Sequence, residues 1–128
     1  MNYLLDTHTF LWWITDDDSL TQKVKEIISL PENNIYFSTV SSWEIMIKHK
    51  LGKIQFPLEP EILLPIQVSN NNFDILEISL PHTLALKDLE DHHKDPFDRL
   101  LVAQSLVENM PILTLDENIK KYRVETVW

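Results

Sequence analysis

The chain has 128 residues, of which 44% are hydrophobic and 24% charged, and it is predicted to fold as one domain spanning residues 1–128. A single glycine excludes Gly-rich phosphate-binding loops, and the lack of cysteine excludes disulfides, thiolate metal sites and thiol catalysis. The 11 basic and 20 acidic residues give a net charge of −9, which repels nucleic acid at long range and is unusual for a protein that binds it.

The first half of the chain alternates short apolar runs with stretches in which apolar residues recur at helical spacing. Such runs are typical of buried parallel strands, and spacings of three and four residues are typical of amphipathic helices. Gly52 is predicted to end the third helix in a left-handed conformation. The predicted elements are a strand at 3–5, a helix capped by Thr7, a helix from Thr21, a strand at 35–37, and a helix at 43–51 capped by Ser41 or Ser42.

The second half continues the alternation of helices and strands. Its strongest helix begins at Asp95-Pro96, since aspartate is a good N-cap and proline is favoured at the first helical position. The other predicted elements are a helix entered at Pro60 and disturbed at Pro65, a strand at 73–78, a helix at 81–89, a strand at 111–115 and an edge strand at 124–128. This alternation predicts an α/β fold in which a parallel sheet of four to five strands has helices on both faces.

Four acidic residues are predicted to meet at the carboxyl edge of this sheet, where α/β folds bind ligands. Asp6 and Asp116 end the first and fourth strands, Glu44 begins the helix after the second strand, and Asp98 lies in the first turn after Asp95. Two carboxylates about 4 Å apart repel by roughly 4 kcal/mol at an effective dielectric of about 20, so a cluster of four requires a cation. Oxygen ligands alone favour Mg²⁺ or Mn²⁺ over zinc.

Each acid, taken singly, also has an ordinary structural explanation. Glu44 has Lys48 four residues on, which is a favourable spacing for a helical ion pair. Asp6 and Asp116 suit the start of a loop, and Asp98 suits a helix N-terminus. These explanations do not account for all four acids at one edge, and their joint position favours the metal site.

Four separated sequence blocks keep a common order and spacing. They are LLDTH at 4–8, SSWEI at 41–45, DPFDRLLVAQ at 95–104 and TLD at 114–116. Together they resemble the PIN-domain ribonucleases, in particular the VapC-type toxins of bacterial toxin–antitoxin pairs. The resemblance implies a three-layer α/β/α PIN-like fold and an endoribonuclease that hydrolyses RNA with a water activated by Mg²⁺, or by Mn²⁺ in its place. It also implies that the metal-binding catalytic residues are Asp6, Glu44, Asp98 and Asp116.

The expected partners are an RNA substrate, an antitoxin protein that presents a basic residue to the acids, and a second copy of the chain. Trp12 and Trp13 are adjacent, so they are not both expected to face one interior. Together with Trp43 they predict exposed aromatic surface, which is typical of an interface and favours a homodimer. The substrate is expected to contact Thr7, Lys48 and Thr114. The apolar runs are too short to span a membrane and follow no signal segment, which predicts a cytoplasmic protein.

Three other interpretations remain open. A phosphoacceptor receiver-like domain has a similar length and strand-end acids, although it requires a lysine at the end of a late strand. A PIN nuclease of RNA processing would share the site without being a toxin. An acidic, non-catalytic binding module requires that the carboxylates do not converge. His92 and His93 lie in a charged loop and are expected to be solvated.

Overall fold

The computed structural model describes all 128 residues as strands that alternate with helices. The strands are β1 (Asn2–Leu5), β2 (Asn34–Ser38), β3 (Asp74–Leu76), β4 (Ile112–Leu113) and β5 (Thr126–Val127). The helices are α1 (Thr7–Ile14), α2 (Gln22–Ser29), α3 (Thr39–Lys50), α4 (Pro60–Asn70), α5 (Leu80–Ala85) and α6 (Pro96–Glu108), with short 3₁₀ turns at Leu86–Asp88 and Ile119–Lys121. None of the helices has the length and apolar content needed to cross a membrane.

The five strands form one sheet in the order β3-β2-β1-β4-β5, and every neighbouring pair is parallel. This confirms the predicted parallel sheet of four to five strands. The strand order reverses between β1 and β4, which is the switch point where open α/β sheets leave a crevice. In a receiver-like domain the first strand lies between the second and the third, whereas here β1 lies between β2 and β4. The receiver interpretation was therefore wrong.

Successive residues of the central strands point to opposite faces of the sheet and bury two separate cores. The first core cluster packs helices α1 to α4 on one face, and the second packs α6 on the other, which gives three layers. The first core cluster comprises Leu5, Phe10, Leu20, Val24, Ile28, Ile35, Phe37, Ile45, Leu64, Val68, Phe73 and Leu113. The second core cluster comprises Leu4, Val40, Leu100, Leu101, Val102, Met110, Ile112, Ile119 and Tyr122.

Helix α1 begins one residue earlier than its predicted cap implied. Its N-cap is Asp6, whose carboxylate accepts a hydrogen bond from the Thr9 amide at 2.7 Å. Thr7 is the first helical residue, so its predicted capping role was wrong. The carboxylate is the better acceptor for the free amides at a helix start, and this leaves the Thr7 hydroxyl available elsewhere.

Helix α3 also begins earlier than predicted, at Thr39, because its cap is Ser38 rather than Ser41 or Ser42. The Ser38 oxygen accepts from the Val40 amide at 3.0 Å, and its hydroxyl donates to Gln104 of α6 at 2.5 Å. This buried contact between α6 and the end of β2 fixes the helix start. Glu44 consequently lies in the second turn of α3 and not at its beginning.

The remaining boundaries differ by a few residues. The strands at 73–78 and 111–115 are shorter than predicted, and the helix at 81–89 ends at Ala85 before a 3₁₀ turn. Asp116 lies three residues beyond β4, although the Thr114 amide still bonds to the Val127 carbonyl at 3.2 Å. Helix α4 runs through Pro65, held by the buried Leu64 and Val68.

The adjacent tryptophans of α1 both pack against the first core cluster, so the expectation that they do not face one interior was wrong. The Trp13 ring nitrogen donates to Asn71 at 2.9 Å, and Trp12 meets Trp128 edge-to-face at 5.7 Å between ring centroids. Both rings therefore contact other residues of the same chain at the edge of that core. Trp43 is the exposed tryptophan, with 48% of its surface accessible.

Helix α6 is capped by Asp95, as predicted, since the Asp95 carboxylate accepts from the amides of Phe97 at 2.9 Å and Asp98 at 3.1 Å. We expect Asp95→Ala to be less stable than Asp95→Asn by about 0.5–2 kcal/mol. Both changes remove the charge, and only asparagine keeps the capping oxygen. Urea unfolding of the two variants measures the difference, and equal free energies of unfolding would contradict the capping role.

Candidate active site

A cleft of about 270 Å³ opens at the carboxyl edge of the sheet, beside the switch point between β1 and β4. Asp6 enters the cleft directly after β1, and Asp116 enters it after β4. His8, Trp12 and Leu115 complete its walls. Acidic groups from two neighbouring strands therefore reach one crevice, as the strand-end pattern predicted.

Asp6 is buried and fully engaged by protein donors. One carboxylate oxygen accepts from the Thr9 amide, and the other accepts from the Thr114 hydroxyl. Burial raises the pKa of Asp6 above its ordinary value, against the opposing effect of these two hydrogen bonds. The Thr114 oxygen also accepts from the Asp116 amide at 3.0 Å, so one buried threonine links the two strand-end acids.

Glu44 is buried on α3 and is held at both carboxylate oxygens. The Thr7 hydroxyl donates to one oxygen at 2.7 Å, and the partly exposed Lys48 ammonium pairs with the other. The Ser41 hydroxyl lies 2.9 Å from the Thr7 oxygen. Because Thr7 directly follows Asp6, these contacts tie Glu44 to the end of β1. The Lys48 pair is the one that helical spacing predicted.

Asp98 lies in the first turn of α6, with Oδ2 3.1 Å from His93 Nε2. Burial raises the pKa of Asp98 to about 6, with the hydrogen bond from His93 opposing the shift. The negative charges of Asp95, Asp116 and Glu44 raise that pKa further. Asp95, which caps the same helix, and two acids from other segments, Asp116 and Glu44, are thus close enough to act on Asp98 electrostatically.

Asp116 is partly exposed at the cleft, where it organises the chain after β4. One of its oxygens accepts from the amides of Asn118 at 2.7 Å and Ile119 at 3.3 Å, at the start of the 3₁₀ turn Ile119–Lys121. Its second oxygen has no hydrogen-bond partner, and neither has Oδ1 of Asp98. Two carboxylate oxygens therefore remain free for a ligand.

The acids face protein donors rather than a common point, and no three His, Asp or Glu side chains form a preformed metal cage. The structure thus brings the four acids to one edge of the sheet without closing them around one position. Their donor type nevertheless fits a hard divalent cation, since all are carboxylate oxygens. Burial is the main cause of the raised pKa of Asp98, and the negative charges of Asp95, Asp116 and Glu44 add to it; a cation would offset these charges.

The predicted substrate contacts differ in their accessibility. Thr7 and Thr114 are both buried, with their hydroxyls bonded to Glu44 and Asp6. Lys48 is partly exposed beside Glu44.

His93 was not predicted as part of the site, and the expectation that it is solvated was wrong. Its side chain is 13% exposed and bonds to Asp98 and, at 2.8 Å, to the Tyr122 hydroxyl. Tyr122 also accepts from Arg99 at 3.0 Å. No short-range spacing signals this group, because His93 and Tyr122 are 29 residues apart.

The comparisons with known proteins agree on the fold. The PIN domain family matches residues 3–125. VapBC2 from Rickettsia felis, bound to a DNA fragment from their promoter, is similar with a TM-score of 0.76 and 19% identity, covering 100% of this chain and 99% of that chain. VapBC-1 from nontypeable Haemophilus influenzae is similar with a TM-score of 0.66 and 16% identity, covering 99% and 97%.

No curated protein sequence matches the chain at a significant level. At identities below 20% the two solved structures show a shared fold. The family match carries the assignment, because it extends over almost the whole length and includes all four blocks that resembled PIN-domain ribonucleases. The chain belongs to the PIN domain family.

Proposed function

We propose that the chain is a metal-dependent endoribonuclease and the toxin of a toxin–antitoxin pair. PIN domains are hydrolytic nucleases. One observation carries the proposal for this chain: carboxylates from four separate segments lie at the carboxyl edge of the sheet, around the switch point. They are Asp6, Glu44, Asp98 and Asp116.

These four acids would hold Mg²⁺, and Mn²⁺ would be able to replace it, because both ions prefer carboxylate oxygens. A divalent cation at this place supplies a water of lowered pKa and offsets negative charge on the phosphate. The chain contributes acidic ligands, and no side-chain nucleophile is required. Hydrolysis of an RNA phosphodiester bond is the reaction that this chemistry fits.

The buried threonines support this chemistry indirectly. We assign Thr7 and Thr114 the role of orienting Glu44 and Asp6, in place of the substrate contacts expected from the sequence, because their hydroxyls are buried against these carboxylates. Lys48 remains the proposed contact for a substrate phosphate. It begins the basic last turn of α3 and offers RNA a local attraction against the net charge of −9.

The toxin role rests on the likeness to two VapBC assemblies together with the acidic charge. An antitoxin segment with a basic residue would be attracted by the field that repels RNA. The alternative, a PIN nuclease of RNA processing, has the same site and no inhibitor. Expression of the chain alone separates them: we propose that it arrests growth of the cell and that co-expression of the neighbouring gene restores growth.

A homodimer is proposed from the exposed apolar surface of α3. Trp43, Met46 and Ile47 recur at the spacing of one helix face and are all more than a third exposed. Exposed apolar side chains grouped in this way are typical of protein interfaces. The cytoplasm, where a toxin and its antitoxin would meet RNA, is the proposed location.

We expect Asp6→Asn to reduce RNA cleavage in Mg²⁺ by at least about 100-fold. Loss of a residue that only hydrogen-bonds to a metal ligand costs about 10- to 100-fold, and loss of a ligand itself is expected to cost more. The amide preserves the size of the side chain and removes one charged ligand. Asp74→Asn is the control, because Asp74 is exposed at the amino end of the edge strand β3. Full cleavage by Asp6→Asn, or by the parent protein in excess EDTA, would refute the metal mechanism.

We expect Asp98→Asn to raise the thermal midpoint of the metal-free protein by a few degrees at about pH 8 and by less at about pH 5. The pKa of Asp98 is raised from 3.8 to about 6 in the folded protein. Ionised Asp98 therefore destabilises the folded protein fully above about pH 6. This destabilisation is lost as the pH falls towards 3.8, the ordinary pKa of the group in the unfolded chain. Calorimetric melting at both pH values tests this, and an unchanged midpoint would contradict it.

We expect the chain to sediment as a dimer at micromolar concentration and Met46→Glu to shift it to a monomer. Leu106→Glu serves as the control, because Leu106 on α6 is exposed to a similar extent, 46% against 41%. A monomeric parent protein, or equal dissociation by both variants, would rule out the α3 interface.

A further inference from the structure

Asp98 stands at the end of a chain of hydrogen bonds that begins at its neighbour Arg99. Arg99 Nη1 lies 3.0 Å from the Tyr122 oxygen, that oxygen lies 2.8 Å from His93 Nδ1, and His93 Nε2 lies 3.1 Å from Asp98 Oδ2. Both ring nitrogens of His93 are therefore engaged.

The direction of these bonds follows from the donors and acceptors available. Arginine only donates, so the Tyr122 oxygen accepts from Arg99. We assign the Tyr122 hydroxyl as the donor to His93 Nδ1, because this places the ring hydrogen on Nε2, where it faces Asp98. An ionised Asp98 only accepts, and it accepts from that Nε2–H group. With the neutral Nε2–H form of His93, each of the three hydrogen bonds that link Arg99 to Asp98 has one donor and one acceptor.

The two members of this hydrogen-bond series that precede His93, Tyr122 and Arg99, are both anchored in the fold. Tyr122 is buried in the second core cluster, immediately after the 3₁₀ turn Ile119–Lys121. Arg99 donates to the Glu90 carbonyl at 2.8 Å and pairs with Asp91 at 3.3 Å. The anchored Tyr122 hydroxyl thus restrains the His93 ring through the nitrogen that faces away from Asp98.

We propose that His93 is a positioning residue that orients the Asp98 carboxylate for metal binding, and that Tyr122 and Arg99 fix the orientation of the His93 ring. This inference rests on the proposed function, since it takes Asp98 as a metal ligand. His93 engages Oδ2 alone and leaves Oδ1 without a partner. Hydrogen bonds of this kind orient metal-binding carboxylates, and their loss costs about 10- to 100-fold in metal affinity.

Calorimetric titration with Mn²⁺ tests the role of His93. We expect His93→Ala to weaken Mn²⁺ binding by about 10- to 100-fold and His93→Gln to retain most of the affinity, because the glutamine amide provides a donor near the position of Nε2. Tyr122→Phe keeps the buried ring and is expected to cause a smaller loss. Circular dichroism and thermal midpoints without metal establish that each variant is folded.

His92→Ala is the matched control. His92 contacts the Tyr122 ring at 4.8 Å between centroids and pairs with Glu90 at 3.4 Å, but it does not bond to Asp98. We expect this variant to bind Mn²⁺ like the parent protein. Equal binding by the parent and His93→Ala, or an equal loss in His92→Ala, would overturn the positioning role alone. A parent protein that binds no Mn²⁺ would instead refute the proposed metal site and this role with it.

A second measurement needs no metal. Nitrogen NMR of the metal-free protein at about pH 8 should show His93 as the single Nε2–H form, and Tyr122→Phe should relax it to a mixture of the two neutral forms. A mixture or the Nδ1–H form in the parent protein would overturn the proposed chain of hydrogen bonds.

Discussion

Repulsion among the carboxylates at one edge of the sheet is the constraint around which the candidate site is organised. Burial is the largest cause of the raised pKa of Asp98, about 6, and this repulsion adds to it. Asp6 and Glu44 each have a protein donor at both oxygens, and Asp98 has one at a single oxygen. These donors stabilise the metal-free protein. A divalent cation would offset the negative charge of the carboxylates that the donors do not balance.

The sheet topology explains why these acids are neighbours. Strands β1 and β4 are adjacent and parallel, so the residues that follow them emerge on the same side. Helices α3 and α6 begin at the carboxyl edge and run back along the sheet, which brings Glu44 in the second turn of α3 and Asp98 in the first turn of α6 to that same edge. Thr114 then joins the two strand-end acids through one buried hydroxyl.

Much of this arrangement could be predicted from local patterns. The apolar runs identified the strands, and Asp95-Pro96 marked the start of α6 correctly. Where a distant contact determines the outcome, local patterns were insufficient. Ser38 caps α3 because it also bonds to Gln104, which is 66 residues away. His93 is removed from solvent by Tyr122, which no spacing rule connects to it.

The central claim is that the four carboxylates form a divalent-cation site. A crystal of the full chain grown with Mn²⁺ and measured at a wavelength where manganese scatters anomalously tests it most directly. The account predicts an anomalous peak bounded by Asp6, Glu44, Asp98 and Asp116. Density for ordered carboxylates at that edge with no anomalous peak among them would contradict it.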